Sequence, residues 1–304
     1  MRKTKLDKKM DIMRAREEAG LLKSDEKSRT VKKFKSNKLA VAGLIIFGII
    51  MIMTLLAPVF TRHDPMKIDI MNRLESPSSE HIFGTDKTGR DVYARVLYGG
   101  RISIFVGLGS AIGSALIGVA LGCYAGYKGG WLDTIVMRAS EMLMSFPRII
   151  LVLLLVSIVG PSLWNLIFIF IISGWGPIYR QTRAKMLSIR EEEYVQALNA
   201  FGLNDLVICY KHMLPNAFGP IMVNITLSTA MFILQETSLS FLGLGIPLNI
   251  PTWGNILNVA QDITVLKEYW WIWLPVGIVI SIFVLSVNLI GDGLRDSSDP
   301  SQQG

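Results

Sequence analysis

The sequence predicts an all-α, polytopic membrane protein with six transmembrane helices. Of its 304 residues, 51% are hydrophobic and only 18% are charged, and the mean hydropathy is +0.42. A soluble domain of this length is normally less apolar. Six apolar runs alternate with polar segments. All but one short run are long enough to cross a hydrocarbon core of about 30 Å as helices. These runs are 39–60, 102–127, 133–159, 163–178, 217–242 and 270–290.

The N-terminal tail, residues 1–38, orients the chain. It contains 14 Lys/Arg and 6 Asp/Glu, and its position beside an apolar run is typical of a cytoplasmic topology signal rather than a nucleic-acid site. We therefore expect a lipid bilayer around the protein and no nucleic-acid partner. Residues 31–38 are expected to form a basic elbow helix along the inner surface. Six spans place both termini, including the tail 293–304, in the cytoplasm, and the segment 61–101 outside.

The core transmembrane domain is expected to comprise residues 102–292. In its first helix, small side chains recur every four residues, which allows another helix to approach closely. These residues are Ser110, Ser114, Gly118, Gly122 and Gly126. Pro147 predicts a kink in the following span.

Several kinds of chemistry are excluded by the motifs. Cys123 and Cys209 are isolated, and no CxxC or Cys/His ligand spacing occurs. His63, His81 and His212 are far apart along the chain, so we expect no metal site. The phosphate-binding pattern GxxxxGK[ST] does not occur, so any ATP energy must come from another polypeptide. We expect no catalytic, cofactor-binding or metal-binding residues, and therefore no enzyme.

A polar segment, Glu193–Asn216, lies between two apolar runs, within the predicted cytoplasmic loop 179–216. Four residues at i, i+3, i+4 and i+7 predict one apolar face of a short helix: Tyr194, Ala197, Leu198 and Phe201. Gly202 suits a corner after that helix. Asn204 or Asp205 can cap a second helix, which Pro215 is expected to end. A lipid-surface helix is the alternative, but Glu191, Glu192 and Glu193 would be repelled by an anionic leaflet.

This segment resembles the cytoplasmic EAA loop of ABC-importer permeases. Gln196, Ala197 and Leu198 occupy the Glu-Ala-Ala triplet, and Gly202 and Leu214-Pro215 keep the spacing of that motif. The segment's flanks, together with 81–92, 97–103, 235–245 and 291–296, resemble the C-type subunit of the dipeptide/oligopeptide branch.

The resemblance implies a type I ABC-importer transmembrane domain in a bacterial or archaeal inner membrane. It implies a permease subunit that pairs with a homologous subunit, two ATPase subunits that bind ATP and Mg, and an external or periplasmic binding protein that delivers di- or oligopeptides. Nickel or glutathione as the solute, and an ATPase-independent secondary transporter, remain open alternatives. The residues expected to couple to the ATPase are Glu193, Tyr194, Ala197, Leu198, Phe201, Gly202, Leu214 and Pro215.

Two charged residues lie in or beside apolar helices, Arg148 and Glu236. Charged groups at membrane depth face protein or water rather than lipid. Both are candidates for the lining of the translocation path. For Glu236 a packing or gating contact between helices is the equal alternative.

Overall fold

The computed structural model describes residues 31–298, and this part of the chain is helical with no β-strand. Residues 1–30 of the predicted tail and residues 299–304 lie outside the described range. The helices are α1 (Lys38–Leu55), α2 (Ala57–Phe60), α3 (Val92–Lys128), α4 (Gly130–Met144), α5 (Arg148–Val159), α6 (Leu163–Arg190), α7 (Glu193–Ala200), α8 (Asp205–Val207), α9 (Leu214–Phe241), α10 (Trp253–Leu257), α11 (Ile263–Glu268) and α12 (Trp270–Ser298). Short 3-10 helices occur at Ile70–Asn72 and Asn258–Gln261, and a π-helical turn at Ile208–Met213 joins α8 to α9.

Four helices are long and apolar enough to cross a membrane, namely α1, α3, the continuous run Asp205–Phe241 and α12. The bent pair α4 and α5 adds a fifth candidate span. The fourth predicted span, 163–178, is the first part of α6, which continues to Arg190 and carries several cations in its second half. The helix count is therefore close to the six spans predicted.

Two helices differ from the predicted spans, one in where it begins and one in being broken. The helix that contains the second predicted span begins at Val92, inside the predicted loop, because the Asp91 carboxylate accepts a hydrogen bond of 2.6 Å from the Ala94 amide and caps α3. The third span is broken rather than kinked, with 88° between α4 and α5. Pro147 precedes the first residue of α5, where its missing N–H costs no helical hydrogen bond.

The core follows α3, whose 37 residues extend over about 55 Å. Near its first residues, Val92 and Val96 pack in a cluster with Trp253 and Phe283. A second cluster around Phe170 and Phe232 lies at its middle, and a third at its C-terminal end contains Cys123, Met186, Ile208 and Met213. The single long helix therefore connects all three apolar clusters.

The small side chains of α3 pack directly against α6, as the sequence predicts. A Cβ atom added at Gly122 would lie 2.8 Å from both the Thr182 Cβ and the Tyr179 carbonyl oxygen. Gly118 and Gly126 are equally close to α6. Because helix association in lipid depends on such close packing, the glycines set the distance between these two helices.

The segment that leads into α1 contacts the C-terminal helix α12. Residues 31–36 of the predicted elbow are helical, and Asn37 instead caps α1 through a 3.1 Å bond from the Ala40 amide. Asn37 also donates to Asp296 on α12 at 3.3 Å. Further along, a Cβ at Gly43 would lie 2.8 Å from the Leu289 Cβ, so α1 packs closely on α12.

Candidate functional site

The segment 193–216, here called the coupling segment, follows α6 at the end of the bundle where α3 finishes. Arg190 ends α6, and α7 begins three residues later with Glu193 in its first turn, where the helix dipole favours a negative charge. Gly202 then has a φ of +73°. The Gly202 amide donates to the Asn199 carbonyl at 2.9 Å, and the Leu203 amide donates to the Leu198 carbonyl at 3.3 Å. This pair of bonds is a Schellman motif, which confirms the predicted glycine corner.

The apolar residues of α7 divide between two faces, which corrects the single face predicted. Val195, which sequence reasoning missed, is 1% exposed, and it packs with Leu198 and Leu203 in the apolar cluster at the end of α3. Ala197 points outward, and Phe201 is 81% exposed. The outward face is therefore formed by Glu193, Gln196, Ala197 and Ala200, with Phe201 at its end.

Polar contacts fix the coupling segment to the long helices. The Asn216 side-chain amide donates to the Tyr194 hydroxyl at 2.7 Å, and the Tyr210 hydroxyl donates to the Ala120 carbonyl at 2.9 Å. The Asp205 carboxylate forms an ion pair with Lys128, while Asn204 caps α8 by accepting from the Leu206 amide at 2.8 Å. Of the two predicted capping residues, Asn204 therefore has that role. Nothing in the sequence distinguishes the partners Lys128 and Asn216 from other polar residues.

Pro215 does not end the second helix of the segment, contrary to the prediction. It lies in the first turn of α9, and the run Asp205–Phe241 continues without a break from the coupling segment into the bundle. Proline has no N–H and its ring clashes with the carbonyl four residues earlier. The π-helical turn Ile208–Met213 precedes it and widens the helix where that bond would have formed. Leu214 is the first residue of α9 and packs against the apolar cluster at the end of α3.

Glu236 is fully buried near the opposite end of α9, with 0% exposure. Its carboxylate accepts hydrogen bonds from the Ser103 hydroxyl on α3 at 3.1 Å and from the Ser240 hydroxyl at 2.9 Å. Ser103 in turn accepts from the Trp253 amide at 3.1 Å. The carboxylate thus joins α3, α9 and α10, and its serine partners were not identified from the sequence.

Arg148 begins α5 and stacks on an aromatic ring. Its guanidinium carbon lies 5.4 Å from the centroid of Phe232, whose ring is stacked on Phe170 at 5.1 Å. This is cation–π distance. Phe232 is one helical turn before Glu236, but within residues 31–298 no ion pair joins Arg148 to Glu236. Arg148 and Glu236, the two candidates for the lining of the translocation path, therefore make separate contacts.

The segment 61–91, here called the distal segment, lies at the other end of α3 and is built around Asp86. Its carboxylate pairs with Arg95 and, at 2.8 Å, with Arg90, and it accepts from the Thr88 hydroxyl at 2.7 Å. Burial acts to raise the pKa of the Asp86 carboxyl. The Arg95 and Arg90 cations and the Thr88 hydrogen bonds outweigh it, so the pKa is below its ordinary value. This network holds the distal segment on the start of α3.

Two of the three histidines meet in the distal segment, although their separation in sequence gave no reason to expect it. The ring centroids of His63 and His81 are 4.8 Å apart, and Asp91 lies beside them. His212 lies in the π-helical turn, at the other end of α3.

Comparison with known proteins identifies relatives over most of the chain. Residues 118–303 match the family described as binding-protein-dependent transport system inner membrane component, and residues 28–77 match the N-terminal TM domain of oligopeptide transport permease C. A putative peptide permease protein of Brucella suis is 38% identical over 273 residues, covering 90% of each chain.

Two further relatives carry more specific names. A dipeptide transport system permease protein of Alkalihalophilus pseudofirmus is 40% identical over 274 residues, covering 90% of this chain and 89% of its own. An oligopeptide transport system permease protein of Bacillus subtilis is 39% identical over 269 residues, covering 88% and 87%. These matches confirm the resemblance found in the motifs.

Proposed function

Because the chain belongs to the family of binding-protein-dependent transport system inner membrane components, we propose that it is the permease subunit of an ATP-driven importer of di- or oligopeptides. It is a multi-pass inner-membrane transport component with the transmembrane domain of a type I ABC importer, and not an enzyme. Peptide as the solute is carried over from the names of its relatives.

The partners that we propose follow from the family. A homologous permease subunit completes the pathway, two ATPase subunits bind ATP and Mg, and an external binding protein delivers the peptide. Both termini and the coupling segment lie in the cytoplasm, because the basic tail 1–38 favours that side. In this arrangement the distal segment faces the external binding protein.

The observation that carries the proposal is the geometry of α7. An eight-residue helix presents Ala197 and Phe201 outward, while Val195 and Leu198 anchor it on the bundle. Exposed apolar side chains on a helix at one end of a bundle are typical of helix-in-groove docking. The proposed mechanism is that closure of the ATPase subunits displaces α7, and that the continuous run Asp205–Phe241 carries the displacement into the bundle.

We propose that the Glu236 carboxylate, near the other end of the run Asp205–Phe241, makes a packing contact between helices. This contact responds to the displacement of α7. The serine partners of the carboxylate lie on α3 and α9, so movement of α9 against α3 must stretch or break the hydrogen bond to Ser103. Arg148 is proposed to line the path, since α5 begins at the break in the bent pair and its guanidinium is only partly buried.

The test is uptake of labelled peptides by membrane vesicles that contain the complete importer. Ala197→Asp places a charge on the outward face of α7, and we expect it to abolish ATP-dependent uptake and ATPase retention while the subunit still reaches the membrane. Asn199→Asp is the matched control, because it adds the same charge elsewhere on the exposed surface of α7. Equal uptake by both variants would contradict the docking face. Uphill uptake without any ATPase would instead indicate a secondary transporter.

A further inference from the structure

The distal segment brings together three metal-ligating side chains that the proposed transport function does not use. His63 follows α2, His81 lies in a turn of the distal segment, and Asp91 caps α3. One ligand atom from each of the three lies within 4.8 Å of the other two. The histidine rings are tilted by 39°, so they do not stack flat on one another.

Each imidazole already has one nitrogen held by an oxygen atom. His81 Nδ1 is 2.8 Å from an Asp91 carboxylate oxygen, and His63 Nε2 is 3.0 Å from the Glu80 carbonyl oxygen. The other Asp91 oxygen accepts from the Ala94 amide at 2.6 Å, which fixes the carboxylate. Metal-binding histidines in proteins are oriented by an oxygen partner on the ring nitrogen that does not bind the metal, and the Glu80 carbonyl has this position at His63. The rings are therefore positioned before any ion arrives.

Burial gives the cluster a closed side and an open side. His81 is 8% exposed and Asp91 is 4% exposed, whereas His63 is only half-buried. An ion can reach the cluster past His63, and the two buried ligands are shielded from bulk water. An entry path on one side is one of the features that a metal site requires.

We propose that His63, His81 and Asp91 form a binding site for a first-row divalent transition metal ion such as Zn²⁺. Two imidazoles and one carboxylate suit this class of ion, whereas Ca²⁺ and Mg²⁺ prefer sets of oxygen ligands. Ligand bonds of about 2.0–2.2 Å place neighbouring ligand atoms roughly 3.0–3.5 Å apart. The 2.8 Å between His81 Nδ1 and Asp91 is already close to this separation.

Binding requires one proton to move and one side chain to move. The metal ion takes the place of the proton between His81 Nδ1 and Asp91: in a neutral imidazole that proton moves to Nε2, and in a doubly protonated ring it is released to solvent. The half-buried His63 approaches by about 1–2 Å to complete three protein ligands, and water fills the remaining position or positions. The bound ion then joins the end of α2 to the start of α3, at the opposite end of α3 from the coupling segment.

The experiment is a Zn²⁺ titration of the full-length, tag-free protein in its complex, stripped with a chelator and followed with a chromophoric competitor. We expect one Zn²⁺ per chain that depends on the cluster. His63→Phe keeps an aromatic ring beside His81 without a nitrogen ligand, and we expect it to bind Zn²⁺ at least about tenfold more weakly. His212→Phe is the matched control, since it removes the histidine at the other end of α3, and we expect unchanged affinity.

Two further readouts separate metal binding from misfolding. The metal-free His63→Phe variant should unfold at the same temperature as the metal-free wild type. Zn²⁺ should raise the unfolding temperature of the wild type and of His212→Phe but not that of His63→Phe. Failure of the wild type to retain Zn²⁺ at micromolar concentration, or equal retention by the two variants, would overturn the proposal. Peptide uptake enters none of these measurements, so this outcome is independent of the transport function.

Discussion

Substitutions at Gly202 test whether the corner after α7 must keep its left-handed backbone. Its φ is +73°, and no atom lies within 4 Å of the position that a Cβ would take, so the cost of a substitution there comes from the backbone alone. A non-glycine residue in this conformation costs roughly 1–2 kcal/mol, with asparagine the best tolerated. Since 1.4 kcal/mol is a factor of ten, Gly202→Ala should reduce the equilibrium constant for forming the native corner by about 5–30-fold.

Proline should be far worse, because its ring fixes φ near −65° and it lacks the N–H that bonds the Asn199 carbonyl. We therefore expect ATP-dependent uptake to fall in the order Gly, Asn, Ala, Pro, with Gly202→Pro inactive. The assay is peptide uptake by vesicles, normalised to the amount of subunit in the membrane and accompanied by pull-down of the ATPase subunits.

The matched control is Gly277→Ala in α12. A Cβ there also meets no atom within 4 Å, but its φ is not positive, so activity should be unchanged. Wild-type uptake and ATPase retention in Gly202→Pro would refute the reasoning.

Three other predictions concern packing and charge. Gly122→Leu should destabilise the protein by about 1–3 kcal/mol, because it forces α3 and α6 apart. Gly109→Leu on the same helix is the control, because a Cβ atom there meets no neighbour and the change should be tolerated. Thermal unfolding in detergent measures both effects. Glu236→Ala should cost about 1–3 kcal/mol for each serine hydroxyl that loses its acceptor; Glu236→Gln keeps an acceptor and should unfold closer to the wild type, and equal losses in both variants would argue against the hydrogen-bond account. Asp86 has a pKa below its ordinary value of 3.8, so the stability it contributes is present above that value and is lost as the pH falls through the lower, folded-state pKa. Asp86→Asn should therefore be less stable than the wild type at pH 7, with the difference shrinking below about pH 4 in unfolding measurements; a difference that did not change with pH would contradict this.

Much of the fold could be read from the sequence because it depends on local patterns. The apolar runs predict the helices, the four-residue spacing of small side chains predicts that another helix packs closely on α3, and Gly202 predicts the corner. Each of these features is set by the length, shape or backbone preference of neighbouring residues. The resemblance in the coupling segment added the family, which the comparisons confirm.

The remaining features depend on contacts between residues distant in sequence. Val195 belongs to the buried face of α7 because the end of α3 covers it, whereas periodicity predicted Tyr194 and Ala197 for the apolar face. Pro215 was predicted to end a helix, but the widened π-helical turn accommodates its ring. His63 and His81 meet only because the distal segment folds back on itself. No spacing rule contains that information.

The unbroken run Asp205–Phe241 has a mechanical consequence for any transport cycle. Its 37 residues form a rod of about 55 Å, which begins in the coupling segment and contains Glu236 near its other end. Pivoting such a rod by about 10° around its midpoint displaces the two ends by about 5 Å in opposite directions. Opposite movements of the two ends of the bundle would then follow from the stiffness of a single helix.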